Sequence, residues 1–300
     1  MFTRKAWAAG VVVGVVVSGC SATQGQAVVV PYRAINGPVI IAHRGGSLEA
    51  PENTVAAVSH GLEVGADWVE VDVVLSKDGH VMVVHEDELE RYAHVEGRVS
   101  EKPLKELRQI SVSNPGWSDA ALGYLETIGV RPPEFGDRFA DETIPTLDEV
   151  LALGGRVMIE MKSTEEPQAL ADAVLESVKN AFAYERVILG SFDPALLDAV
   201  ALRDPSLPRV AILEDVDGLE EMLARGPTVV AIRADRAEEA LERVPQGIAV
   251  WLWTIYTPAM AREAAELGVH GLITDVPKAV VKELRGEKSV YVAPPQTPGR

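Results

Sequence analysis

The chain has 300 residues, 47% of them hydrophobic and 24% charged, with a formal net charge of −17. That length holds one barrel-sized domain or two smaller ones, and the composition excludes intrinsic disorder. The negative charge and the lack of any long Lys/Arg run exclude nucleic acid as a partner and oppose long-range attraction to an anionic lipid surface.

Residues 1–20 read as a signal segment. Arg4 and Lys5 give a positive start, and the apolar run around Val11 to Val17 is too short for a membrane span, which needs about 20 apolar residues. Val17-Ser18-Gly19-Cys20 then sets small residues ahead of the chain's single cysteine, which has no partner for an internal disulfide. The stretch resembles the lipobox of bacterial lipoproteins, whose cysteine becomes the lipidated first residue. The alternatives are an ordinary signal peptide or an uncleaved anchor. The expectation is lipidation at Cys20, a tether over 21–36, a single folded domain over 37–284 and a body held outside the cytoplasm on a bacterial membrane.

From Pro38 onward, Val/Ile-rich runs alternate with amphipathic segments. Strands are expected at 38–42, 67–74, 81–85, 156–161, 186–191, 208–213, 228–233, 248–254 and 271–274. Helices are expected at 54–64, 103–110, 146–153, 166–182, 194–202, 217–224, 236–243 and 257–267. Pro167 and Pro194 suit first helical turns, and Gly154 and Gly268 stand where helix C-caps belong. Near-continuous apolar strands alternating with helices indicate a parallel sheet covered on both faces, and over about 250 residues the leading architecture is a (β/α)8 TIM barrel. Nine strands for eight places leave one outside the ring. Between Asp72 and His85 there is no room for a helix. The expected path is an extended run down the barrel, a turn at Asp78-Gly79 and a strand rising to His85, at the same end as Glu70 and Asp72. Residues 111–142, broken by Asn114-Pro115-Gly116 and Pro132-Pro133, read as an insertion lying over the site as a flap. Residues 285–300, with Pro294, Pro295 and Pro298, read as an unstructured tail.

Four stretches carry chemistry. The strand 38–42 ends in His43-Arg44-Gly45-Gly46, which puts an imidazole beside a guanidinium at one mouth, an arrangement suited to a phosphate ester. In Asp67-Trp68-Val69-Glu70-Val71-Asp72-Val73, strand alternation turns Glu70 and Asp72 to one side and the valines to the other. Two carboxylates on one face of an apolar strand need a cation or a partner, and a hard divalent ion, Mg²⁺ or Ca²⁺, fits them; the plain alternative is a solvated edge. Glu160 and Lys162 repeat the design at the end of another apolar strand. Glu160 can complete a three-carboxylate metal site and Lys162 can reach a phosphate oxygen, unless the two are only a rim ion pair. His85 alone reads as a rim residue, and beside His43 it becomes a candidate acid/base partner.

The order His43-Arg44-Gly45, Pro51-Glu52-Asn53-Thr54, Glu70-x-Asp72, Lys77-Asp78-Gly79, Val83-Val84-His85, Ile144-Pro145-Thr146-Leu147, Glu160-x-Lys162, Ser191-Phe192, Trp253-Thr254 and Thr274-Asp275 resembles the glycerophosphodiester phosphodiesterase family. The resemblance covers about Val39 to Pro277. It implies metal ligands at Glu70, Asp72 and Glu160, an acid/base pair at His43 and His85, and phosphate contacts from Arg44 and Lys162. It further implies Glu52 as a supporting hydrogen-bond acceptor, Trp253 as a wall of the glycerol pocket, and one divalent cation. The substrate implied is a small glycerophosphodiester, cleaved to glycerol 3-phosphate and an alcohol. Two departures stand out: Glu86 follows His85 where the family usually has Asp, and Ile255-Tyr256 stands where it often has Asn. Rival readings are a barrel enzyme cutting lysophospholipids or phosphoinositides, which needs an open apolar groove near 111–142, and a surface binding protein without catalysis.

Overall fold

The computed structural model describes residues 37–286. The signal segment, Cys20, the tether over 21–36 and the chain from 287 onward lie outside the described residues, with the expectations attached to them.

The strands are β1 (Val39–Ala42), β2 (Trp68–Leu75), β3 (Val81–Val83), β4 (Val157–Met161), β5 (Val187–Ser191), β6 (Arg209–Leu213), β7 (Val229–Arg233), β8 (Ala249–Ile255) and β9 (Gly271–Thr274). Eight of them, all but β3, run parallel, and β1 pairs with both β2 and β9, which closes the ring. This is the TIM barrel the sequence implies. Among the described residues the helices are α1 (Val55–Glu63), α2 (Leu89–Ala93), α3 (Leu104–Leu107), α4 (Asp119–Thr127), α5 (Leu147–Ala152), α6 (Pro167–Asn180), α7 (Pro194–Arg203), α8 (Leu219–Leu223), α9 (Ala237–Arg243), α10 (Pro258–Leu267) and α11 (Pro277–Arg285). Their starts are encoded locally. Thr54, Thr146, Asp193 and Thr257 accept first-turn N–H bonds, Thr146 with Glu149 in a reciprocal capping box, and prolines open α6, α7, α10 and α11. Short α2 and α4 escape the sequence reading because both lie in segments rich in turn residues.

Strand alternation sorts the core into two bodies. Ile40, Val69, Val71, Ile159, Leu189 and Val230 face outward and pack under the helices. Ile41, Trp68, Met158, Ile188, Val210, Ala231, Trp251 and Ile273 face inward and fill the lower barrel. Trp251 and Trp68 meet there with ring centroids 6.3 Å apart. Gly271 makes this possible, since a Cβ on it would lie 2.4 Å from the Trp251 ring.

The ninth strand is β3, and its path differs from the expected one. β2 does not turn back below the carboxylates; it runs on past them to Leu75. Its register with β3 is antiparallel, Val73 against Val83 and Leu75 against Val81. The turn lies at Asp78-Gly79, where Gly79 takes φ +83° and Ser76 donates to Asp78 at 2.7 Å. β3 therefore descends, and the Val84 N–H donates to the Asp72 carbonyl at 3.0 Å. His85 reaches the expected end of the barrel by the opposite route. The irregular region is also larger than 111–142. It runs from His85 to Pro145 and has its own core of Met82, Leu89, Tyr92, Leu107 and Ile144.

Candidate active site

The inward register that fills the lower barrel with hydrocarbon continues upward into polar residues. On β2, Trp68 is followed by Glu70 and Asp72; on β4, Met158 is followed by Glu160 and Lys162; on β8, Trp251 is followed by Trp253; and His43 and Asp275 follow β1 and β9. β2 and β4 are neighbours, with Asp72 opposite Glu160. One oxygen each from Glu70, Asp72 and Glu160 lies within 4.8 Å of the others, and all three residues are buried.

Three buried carboxylates need positive charge. Lys162 Nζ donates to Asp72 at 2.9 Å and to Glu160 at 2.5 Å. Arg44 donates its backbone N–H to Glu70 at 2.8 Å and its Nη1 to Glu52 at 2.8 Å, while its Nε lies 3.3 Å from Asp72 without hydrogen-bond alignment. Arg44 reaches these partners from a left-handed backbone, φ 52°, in the turn that Gly45 allows. A Cβ on Gly45 would sit 2.4 Å from the Ala57 backbone. Asn53 clasps Asp72, accepting from its N–H at 3.1 Å and donating to its carboxylate at 2.8 Å.

The two acids of β2 titrate in opposite directions. Burial pushes the Glu70 carboxyl well up, and repulsion by Asp72 and Glu160 adds to it. Burial pushes Asp72 the same way but is overruled by Lys162, His85 and Arg44, which hold it well below the usual carboxylate range. Glu70 Oε1 is buried without a hydrogen-bond partner. An orphaned carboxylate oxygen inside a three-acid cluster fits a hard divalent cation, which takes oxygen ligands.

The imidazoles flank this cluster. His43 Nδ1 donates to Asp275 at 2.6 Å, which leaves Nε2 3.9 Å from Glu70. His85 Nδ1 lies 3.3 Å from Glu86, and burial together with Arg44 lowers its pKa. The hydrogen bond from His85, aided by Arg91, depresses Glu86 to about 2. Arg91 ties Glu86, at 2.8 Å, to Glu52, at 3.4 Å. Burial opposes the charge on Glu52, but Arg44, His85 and Arg91 prevail and lower its pKa. A cavity of about 80 Å³ opens over the two histidines, bounded by Arg44, Glu52, Glu86 and Asp275 and roofed by Trp117, Ser118 and Ala121 from the insertion. Tyr256 also lines it and packs on Tyr124 of α4 with centroids 5.2 Å apart, tying the insertion to the loop after β8. Trp253 meets Phe192 edge-on, 5.5 Å between centroids. A larger hollow of about 460 Å³ beside Ala234 to Glu242 holds no imidazole.

The structure thus brings His43, Arg44, Glu52, Glu70, Asp72, His85, Glu160 and Lys162 into one connected network. Asp275, Asn53 and Arg91 belong to the same network without a role foreseen for them. Asp275 carried a readable signal, an acid ending an apolar strand as Glu160 does.

The profile of the Glycerophosphoryl diester phosphodiesterase family matches residues 43–279. The chain belongs to that family. A glycerophosphodiester phosphodiesterase of Caldanaerobacter subterraneus subsp. tengcongensis is 31% identical over 260 residues, covering 82% of this chain and 98% of the relative. A phosphodiesterase of Oleispira antarctica, solved in complex with the product sn-glycerol-3-phosphate, is 25% identical with a TM-score of 0.71 and covers 82% and 96% of the two chains. The glycerophosphodiester phosphodiesterase of Thermotoga maritima is 26% identical with a TM-score of 0.62, covering 83% and 99%. Family membership makes this chain an enzyme, a phosphodiesterase.

Proposed function

We propose that this chain hydrolyses glycerophosphodiesters to glycerol 3-phosphate and an alcohol, using a divalent cation held by Glu70, Asp72 and Glu160 and a pair of histidines. The observation that carries this reading is the meeting of three buried carboxylates, one of them orphaned, beside two imidazoles and two cations. Held by Glu70, Asp72 and Glu160, a bound Mg²⁺ or Ca²⁺ would supply Lewis-acid chemistry towards a phosphoryl oxygen and the attacking hydroxyl.

The chain's own groups do the rest. His85, whose pKa burial lowers, and His43, with Nε2 free of Asp275, share the proton work: one takes the proton of the attacking hydroxyl as its oxygen bonds to phosphorus. The other protonates the alcohol oxygen as the P–O bond breaks. Asp275 holds the His43 ring and its tautomer. Arg44 and Lys162 spread the negative charge of the phosphoryl oxygens, and Glu52 keeps the Arg44 fork aimed. Trp253 offers an apolar wall to the glycerol carbons. The small cavity under the insertion, lined by His43, Arg44, Glu52, His85 and Asp275, favours deacylated diesters over lysophospholipids.

A panel of glycerophosphodiesters and lysolipids, assayed for glycerol 3-phosphate release with Mg²⁺ or Ca²⁺ and with EDTA, tests this. Release from short headgroups that stops in chelator and returns with the ion is the expected result. Activity indifferent to chelator removes the metal. We further propose that Cys20 is lipidated and holds the domain on the outer side of a bacterial membrane; the mass of the purified N-terminal peptide tests that separately.

A further inference from the structure

The end of the barrel opposite the catalytic mouth carries apolar side chains that the described residues leave exposed. Leu153 follows α5, Phe182 and Tyr184 follow α6, Leu202 lies in the last turn of α7, and Leu267 ends α10. They are 37%, 92%, 39%, 78% and 44% exposed. Each stands in the last turn of a helix or between that helix and the next strand, which in a parallel barrel is the N-terminal face. Leu153 precedes β4, while Phe182 and Tyr184 precede β5, and those strands pair with Val157 opposite Val187. Arg186 gathers the two loops, donating to the carbonyls of Leu151, at 2.8 Å, and Gly155, at 3.0 Å. Leu153 and the Phe182–Tyr184 pair thus flank one arginine. Phe182 also takes φ 50°, a left-handed backbone that a side-chained residue resists, and it does so with its ring in solvent. Scattered exposed apolar residues are ordinary on protein surfaces, but Leu153, Phe182, Tyr184 and Leu202 stand ahead of three neighbouring strands, β4, β5 and β6, on one end.

Charge differs at this end too. In a chain of net −17 this end is close to charge balance: Lys179, Arg203, Arg243 and Arg285 at helix ends and Arg156 and Arg186 ahead of β4 and β5 stand against Glu63, Asp67, Glu185, Asp204, Glu242 and Glu266. Basic residues suit helix C-termini through the helix dipole, and Arg203, Arg243 and Arg285 pair with Asp172, Glu239 and Asp67. The result is an end where exposed aromatic and aliphatic side chains meet little net charge, which a membrane–water interface accepts more readily than the acidic chain as a whole.

The chain enters the barrel from the same end, since β1 begins there at Val39. A domain of this size has a radius of gyration of about 18 Å, so a path over its surface from pole to pole is about 70 Å, whereas the sixteen residues 21–36 reach at most about 55 Å fully extended. A lipid at residue 20 therefore holds the N-terminal face nearer the bilayer than the catalytic mouth.

We propose that the N-terminal face of the barrel is the membrane-facing surface of this protein, that Phe182, Tyr184 and Leu153 seat in the lipid interface, and that the catalytic mouth is thereby turned away from the bilayer. The inference rests on the anchored reading of residues 1–20 for its biological setting. It also deepens the substrate reading: a mouth aimed away from the membrane meets soluble diesters, not lipids embedded in it.

The test separates the surface from the anchor. The chain carries Cys20→Ser and a histidine tag ahead of residue 21, and is held on phosphatidylcholine–phosphatidylglycerol vesicles by a nickel-chelating lipid. A single cysteine, Phe182→Cys or Leu122→Cys, is labelled with an environment-sensitive dye; Leu122 lies in α4 over the mouth and is 40% exposed. The expected result is a blue shift and quenching by lipid-borne nitroxides at 182 and neither at 122. Equal responses at the two positions, or the stronger response at 122, overturn the proposal whatever the fate of Cys20. Phe182→Asp should weaken vesicle binding of the untagged Cys20→Ser chain about tenfold while leaving phosphodiesterase activity unchanged. Unchanged binding, or self-association through residue 182 without vesicle binding, also overturns it.

Discussion

The lower and upper halves of the barrel interior are built by the same strands in the same register, yet they hold opposite materials. Below, Ile41, Trp68, Met158 and Trp251 make a dry plug; above, two residues further along each strand, His43, Glu70, Glu160 and Trp253 make the reactive cleft. The difference lies in what satisfies each side chain. Hydrocarbon is satisfied by contact, so the lower half is stable by itself. The upper half must balance its acids against Arg44 and Lys162, and Glu70 is left over. Stability is made in one half and reserved for chemistry in the other.

Substitutions can break that contrast. Trp251→Ala should cost about 3–5 kcal/mol in denaturant unfolding, as for other buried large side chains, while the molecules that remain folded keep their kcat. A large drop in kcat at unchanged stability would place Trp251 in the chemistry. In the upper half the pattern reverses: Glu160→Gln or His43→Ala should each lower kcat by at least about 10²-fold with little change in folding. Near-normal turnover in either variant would remove that residue from the reaction.

A subtler variant sharpens the contrast. Because burial and two neighbouring acids raise the Glu70 pKa, the folded state binds that proton more tightly than the unfolded one, and stability falls as pH rises from the ordinary carboxylate range through the raised value. Glu70→Gln should therefore stabilise the metal-free protein at pH 7, by about 1 kcal/mol or roughly 2–4 °C in Tm, while abolishing the stabilisation by divalent ions expected of the parent. A lower Tm would show that Arg44 already neutralises this acid. Glu86 behaves oppositely. With its pKa depressed from 4.5 to about 2, its contribution is present above pH 4.5 and is lost as pH falls toward 2. Glu86→Gln should flatten that acid limb by less than about 1 kcal/mol, since its side chain is 31% exposed. An unaltered limb would mean that His85 and Arg91 do not stabilise the Glu86 carboxylate in the folded state.

Much of this could be read before any coordinates. The pairing of Glu70 with Asp72 on one face follows from strand alternation alone, and Glu160 with Lys162 from the same rule one strand over. The path to His85 was misread because sequence shows a turn at Asp78-Gly79 but not which way the chain is travelling when it arrives. Asp275, Asn53 and Arg91 act through partners 232, 19 and 39 residues away, and no local pattern announces such contacts. The insertion was drawn too short because its hydrophobic residues, Leu89, Tyr92 and Leu107, serve a small separate core and not the barrel.

The Trp68–Trp251 pair, seated against Gly271, has a kinetic consequence. It seals the floor of the cleft, so the barrel is a cul-de-sac and not a corridor. The diester, the departing alcohol and the phosphate monoester all use the doorway lined by Trp117 and Tyr256. Whatever widens or narrows that doorway acts on arrival and departure together, so changes there should appear in kcat as readily as in KM.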